Sequence, residues 1–273
     1  MHFPKYWRRV SRGGVCAWGW SDESAERADD DGQLRVGRIV EWLKNGMVGE
    51  RGGYGYPDRP MREEVLKEFH RGENLVAAVS RNSYGCAVLN TTDAFFIDVD
   101  EPLASLSSLV ASLFGGKKKL EPTVVKKVEQ WVADQPDWGW RIYRTAAGLR
   151  LLATQAPVGP DAAECARAFD AFGADRLYRR LCASQHCFRA RLTPKPWRCG
   201  VARLPNQARW PWSDAEAEAS FRDWQRNYEE AATGVATCQL IGQFGNQDIH
   251  PDLQALVAFH DEATRAAAGL DLA

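Results

Sequence analysis

Three things are scarce in this 273-residue chain: long apolar runs, net charge, and clustered metal-ligating residues. No stretch approaches the roughly 18–20 consecutive apolar residues that a membrane span needs. Residues 1–9 also lack the apolar core of a secretory signal. With 35 Lys+Arg against 36 Asp+Glu the formal net charge is -1, which excludes an overall basic coat for nucleic acid and a polyacidic tail. The seven cysteines are odd in number and contain no Cys-x-x-Cys pair. Reduced thiols in a cytoplasmic protein fit that pattern better than a disulfide framework. Cys182, His186, Cys187 and Cys199 can be drawn as a zinc set, but their spacing matches no common ligand pattern. A P-loop is missing too: Gly115-Gly116-Lys117-Lys118 has neither the earlier glycine nor the following Ser/Thr.

What is present is an ordinary globular composition, 45% hydrophobic and 26% charged, in a chain long enough to bury a sizeable core. Val15–Trp20 reads as a strand, and Asp29-Asp30-Asp31-Gly32 as a break. Val36, Ile39, Val40 and Leu43 then mark one face of a helix stopped by Gly46. Residues 46–60 form a loop, and Pro60 opens a helix carrying Val65, Leu66 and Phe69 that Gly72 closes. Leu75–Ser80 and Cys86–Asn90 flank a hairpin turn over residues 81–85. Ala94–Val99 is a further strand.

Thr123 caps a helix, and Trp140–Thr145 and Leu149–Thr154 are strands around a small-residue turn. Helices follow at about 161–172 and 175–183, then a strand over Cys187–Thr193. A helix opens at Ser213, a strand spans Val235–Ile241, and a last helix opens at Pro251. Strands and helices in this mixed order predict an α+β fold, with a mixed or antiparallel central sheet flanked by helices. One two-lobed domain is expected, with an N-terminal lobe over 1–74, a catalytic core over 75–210, and a C-terminal helix–strand–helix over 211–273.

Three segments carry candidate chemistry. In Phe95-Phe96-Ile97-Asp98-Val99-Asp100 the two carboxylates are two residues apart on a strand and share a face. Asp98 and Asp100 are therefore candidate catalytic and metal-binding residues for Mg²⁺ or Mn²⁺, which favour carboxylate oxygens. The alternative is that one faces solvent and the other caps a helix beginning near Pro102. In Arg141-Ile142-Tyr143-Arg144-Thr145-Ala146-Ala147-Gly148-Leu149-Arg150, Arg144 and Arg150 flank the turn as candidate phosphate ligands, or simply coat an edge strand.

The third segment, Phe188-Arg189-Ala190-Arg191-Leu192-Thr193-Pro194-Lys195-Pro196-Trp197-Arg198, puts Arg189 and Arg191 on one face with Lys195 just beyond. From Arg176 to Ser213 there are nine Lys/Arg and no Asp or Glu, so the remaining residues sum to -10. With Trp197, Trp210 and Trp212 nearby, this segment suits phosphates and stacked bases.

A strand ending in Asp-x-Asp, a helix, a strand pair around a Gly turn, and a Phe-Arg strand followed by Lys remotely resemble the archaeo-eukaryotic primase and primase-polymerase superfamily over about residues 94–198. The resemblance implies an RRM-like core in which Asp98 and Asp100 hold metals, with Arg189 and Lys195 in the role of phosphate-contacting basic residues. Gly148-Leu149-Arg150 stands where that family has Ser-x-His, and the 188–193 strand carries no third acid. Two functions are expected on this basis. One is metal-dependent phosphoryl or nucleotidyl transfer on nucleotides or nucleic acid. The other is a non-catalytic module binding single-stranded nucleic acid or a nucleotide.

Overall fold

The computed structural model describes residues 1–45, 60–100 and 123–273. The expected loop at 46–59, the helix stop at Gly46, the helix near Pro102 and Gly115–Lys118 lie outside them. The chain is an α+β protein with antiparallel sheets, divided into two compact units, Met1–Glu63 and Glu64–Ala273.

In the first unit, β1 (Tyr6–Arg12) and β2 (Val15–Ser21) pair antiparallel around Gly13-Gly14. Both glycines have positive φ, which a two-residue hairpin turn of this kind requires. The following helix α1 (Ala25–Lys44) starts where the Ser24 hydroxyl accepts from the Arg27 N–H at 3.2 Å. The expected break at Asp29–Gly32 is instead the middle of this helix. Asp31 accepts from the Trp20 backbone N–H (3.1 Å) and from Arg35 Nε (2.6 Å), so the acidic run fastens helix to hairpin. Gly32 lies against Gly19, where a Cβ would come within 2.1 Å of the Ala28 carbonyl oxygen. Local propensity reads this segment as a breaker, whereas close packing makes use of it.

The second unit holds two four-stranded sheets. One has the order β3 (Glu64–Arg71), β4 (Asn74–Arg81), β5 (Ala87–Thr91), β9 (Phe188–Arg191). The other has the order β10 (Cys238–Gly245), β7 (Gly139–Thr145), β8 (Gly148–Ala153), β6 (Phe96–Asp100). The single central sheet expected from the sequence is thus two.

The helix expected from Pro60 is β3. Register shifts at Val65/Lys67 and Phe69/His70 space its apolar residues unevenly, which imitates helical periodicity. Gly72, at φ 61, turns the chain into β4 rather than closing a helix. This strand, placed in an N-terminal lobe by sequence, is therefore hydrogen-bonded into the larger unit.

Helices α2 (Thr123–Asp134), α3 (Ala163–Phe172), α4 (Arg176–Gln185), α5 (Ala215–Ala232) and α6 (Pro251–Thr264) complete it. The cap expected at Thr123 rests on a side chain outside the described set. The cap expected at Ser213 is Asp214, whose carboxylate accepts from the Ala217 N–H at 2.8 Å. No helix among the described residues is long and apolar enough to cross a membrane.

The main core joins both sheets to the helices through Phe95, Trp140, Phe169, Phe172 and Phe188. A smaller cluster of Leu204, Phe221, Trp224 and Tyr228 packs α5 on the basic segment. It is closed by Gly85 in the β4–β5 turn, at φ 86, where a Cβ would meet the Trp224 ring at 2.3 Å. Gly85→Ala combines a left-handed backbone with overpacking. It is expected to cost about 2–4 kcal/mol in urea unfolding while leaving the slope unchanged.

Candidate anion-binding site

The register of the second sheet decides which side chains meet. Directly opposed residues share a face. Asp98, Arg150 and Tyr143 form one row across β6, β8 and β7. Val99, Leu149 and Arg144 form the adjacent row, on the opposite face. Asp98, Asp100 and Arg150 therefore share a surface, and Arg144 is on the other side of the sheet.

Arg150 is 1% exposed, and its donors are met within the protein. Nε donates to Asp98 Oδ1 at 2.9 Å and Nη2 to Oδ2 at 3.3 Å. Nη1 donates to the Arg191 carbonyl of β9 at 2.9 Å and lies 3.4 Å from Nε2 of His260 on α6. One guanidinium thus joins the two four-stranded sheets and a helix. Burial opposes its charge, but the Asp98 carboxylate outweighs burial and raises its pKa. Arg150, expected to hold phosphate, is instead buried, with its guanidinium turned to Asp98 and the Arg191 carbonyl.

A second pair buttresses the first. Asp261 accepts from the Tyr143 hydroxyl at 2.7 Å, pairs with Arg141, and lies 3.1 Å from His260 Nδ1. Burial alone would raise the Asp261 carboxyl, but the His260 and Tyr143 hydrogen bonds and the Arg141 charge hold it below its usual range. His260 is fully buried. Burial pushes it down to about 4 despite its bond to Asp261, with the Arg150 cation acting in the same direction. Its side chain is therefore neutral near neutral pH.

On the outer side of this network lies the basic segment. Arg191, half-buried, is pressed down first by burial and then by Arg150 and Arg198, against the attraction of Asp98. Its Nε has no hydrogen-bond partner among the described residues. Burial, Arg191 and Arg198 likewise lower the Lys195 pKa, against the pull of Asp100. Arg191, Lys195 and Arg198 are thus mutually repelling cations, which an anion would relieve. Arg189 shares the Arg191 face of β9, and its Nη1 donates to Gln185 at 3.1 Å.

Beside the cations stand two exposed aromatics. Tyr84 and Trp197 meet edge to face at 5.3 Å, with Lys195 5.6 Å and Arg203 4.8 Å from the Trp197 ring centre. Both rings are about 40% exposed. Trp212, expected in the same surface, instead packs on Phe221 at 5.3 Å between ring centres. Trp210 is half-buried.

Asp98 and Asp100 bring two carboxylates to one face, but both Asp98 oxygens already accept from Arg150 and the surrounding charge is mostly positive. For Mg²⁺ or Mn²⁺ this donor set is a poor fit, because the ion would have to share Asp98 with a buried guanidinium. Of the residues drawn as a zinc set, His186 Nδ1 lies 3.3 Å from Asp161. Cys199 donates to the Pro196 carbonyl, while Cys182 and Cys187 are buried.

The sequence did not point to His260 and Asp261, because their partners Arg150, Tyr143 and Arg141 lie more than a hundred residues away. The one local signal was a histidine on the apolar side of the last helix, which identifies no partner. No protein family, curated protein or solved structure matches the chain.

His260 gives a pH signature. Its folded pKa lies below its unfolded value, so the unfolded chain binds the extra proton between about pH 4 and 6.5. This contribution to stability is complete above about pH 6.5 and is lost as pH falls toward 4. Urea melts of His260→Gln are expected to show a smaller loss over that interval than the unsubstituted chain; equal losses would show that His260 is not the titrating group.

Proposed function

We propose that the second unit binds single-stranded nucleic acid, with backbone phosphates on Arg191, Lys195 and Arg198 and a base against Trp197 and Tyr84. The observation that carries this reading is the exposed Tyr84–Trp197 pair, flanked by Lys195 and Arg203 and continuous with the Arg191 cation. Stacking on aromatic rings is sequence-tolerant, and cations along the backbone supply the affinity. A single strand suits the site better than a duplex because only an unpaired base offers its face to a side-chain ring. The reading corresponds to the non-catalytic form of a primase-like core. Arg150 occupies Asp98 from within and leaves the outer cations to the ligand.

One observation favours the catalytic reading, metal-dependent phosphoryl or nucleotidyl transfer. Asp98 and Asp100 share a face beside the cationic cluster, and Asp100 is exposed at the strand end.

Fluorescence anisotropy with a labelled oligothymidylate separates the two. Lys195→Ala/Arg198→Ala is expected to weaken binding about tenfold or more at low salt and to reduce the salt slope by about 1–2. Trp197→Ala is expected to cost about 1–3 kcal/mol of binding. Chelator and Asp100→Asn are expected to change neither. Binding that requires Mn²⁺ and disappears in Asp100→Asn would favour the catalytic reading, and binding indifferent to all three basic and aromatic changes would contradict both.

A further inference from the structure

The first unit contains a cavity of about 580 Å³, within the roughly 300–1,000 Å³ range of small-molecule sites. Its walls come from β1, β2, α1, Pro60 and Arg62, and they combine two kinds of side chain. Trp7, Trp18 and Trp20 supply indole surface, and Arg35, Arg38 and Arg62 supply charge; among the described residues no carboxylate lines it. The Arg62 guanidinium lies 4.5 Å over the Trp18 ring. Arg35 is paired with Asp31 at 2.6 Å. Arg38 is exposed and has no ion-pair or hydrogen-bond partner among the described residues.

We infer that this cavity is a binding site for a nucleotide unit, its base against the indole and guanidinium planes and its phosphate on Arg38. Planar walls select a planar, polarisable ring, and guanidinium groups both stack on such rings and bind phosphate bidentately. Among the described lining residues the charged groups are all arginines, and with Arg35 paired to Asp31 it is Arg38 and Arg62 that favour an anionic ligand over a neutral or cationic one. Free nucleotides and residues of a single strand present the same chemistry. The site is built entirely within residues 7–62 and does not depend on the proposed function of the second unit.

Cys16 makes the test local. It lines the cavity, its thiol is exposed, and the Ser11 hydrogen bond with Arg9 nearby favours the thiolate. Of the other cysteines, five are buried and Cys199 is half-buried. The rate of Cys16 alkylation by iodoacetamide, followed by mass spectrometry on the full chain, therefore reports occupancy of this cavity. Adenosine monophosphate at ten times its Kd is expected to slow alkylation about tenfold if it covers the thiol.

Inorganic phosphate or adenosine at the same concentration is expected to protect much less. Arg38→Gln, a change at an exposed position, is expected to remove the protection, and Lys195→Ala/Arg198→Ala to leave it intact. Protection by oligoadenylate without protection by the mononucleotide assigns the site to a strand; the reverse assigns it to free nucleotide. Absence of protection by both would overturn the inference. So would equal protection in Arg38→Gln, or protection by phosphate alone as strong as by nucleotide.

Discussion

A guanidinium that is 1% exposed must have its charge answered where it stands, and Arg150 is answered by Asp98. Taking a charge out of water costs several kcal/mol, so its neighbours must supply both a counter-charge and hydrogen-bond acceptors. Asp98 provides the counter-charge from β6, the Arg191 carbonyl provides an acceptor from β9, and His260 approaches from α6. The positions of the two sheets and the last helix are therefore tied to one side chain. Asp261 and Tyr143 contact His260 in turn, and Arg141 pairs with both of them.

This arrangement also determines what faces outward. Because Arg150 lies within, its charge repels Arg191, which in turn repels Lys195, and both are partly desolvated. A chain with a net charge of -1 thereby concentrates positive potential at one place, beside two exposed rings. The first unit repeats the combination of arginine and tryptophan in a different form, as a concave pocket.

Much of this was legible in sequence where the signal was local. The Asp98/Asp100 alternation, the hairpin turn over residues 81–85 and the helices at about 161–172 and 175–183 all depend on near neighbours and recur in the structure. β3 was misread because bulges disturbed its alternation, and α1 because an acidic run serves tertiary contacts rather than a break. The role of Arg150 could not be read locally. Its position between two strands suggested an exposed ligand-binding residue, whereas its partners lie 52, 41 and 110 residues away. Arg144, six residues earlier, looks equivalent in sequence and is separated from it by strand parity alone.

The central claim is that Asp98 and Arg150 function as one internal unit. A double-mutant cycle of Asp98→Asn and Arg150→Met, measured by denaturant unfolding, tests it most directly. Asp98→Asn alone is expected to cost about 3 kcal/mol, because it strands a buried cation. The double variant is expected to be more stable than the sum of the two single losses by at least about 2 kcal/mol. Additive losses would contradict the account, since they would mean that the carboxylate and the guanidinium stabilise the fold independently.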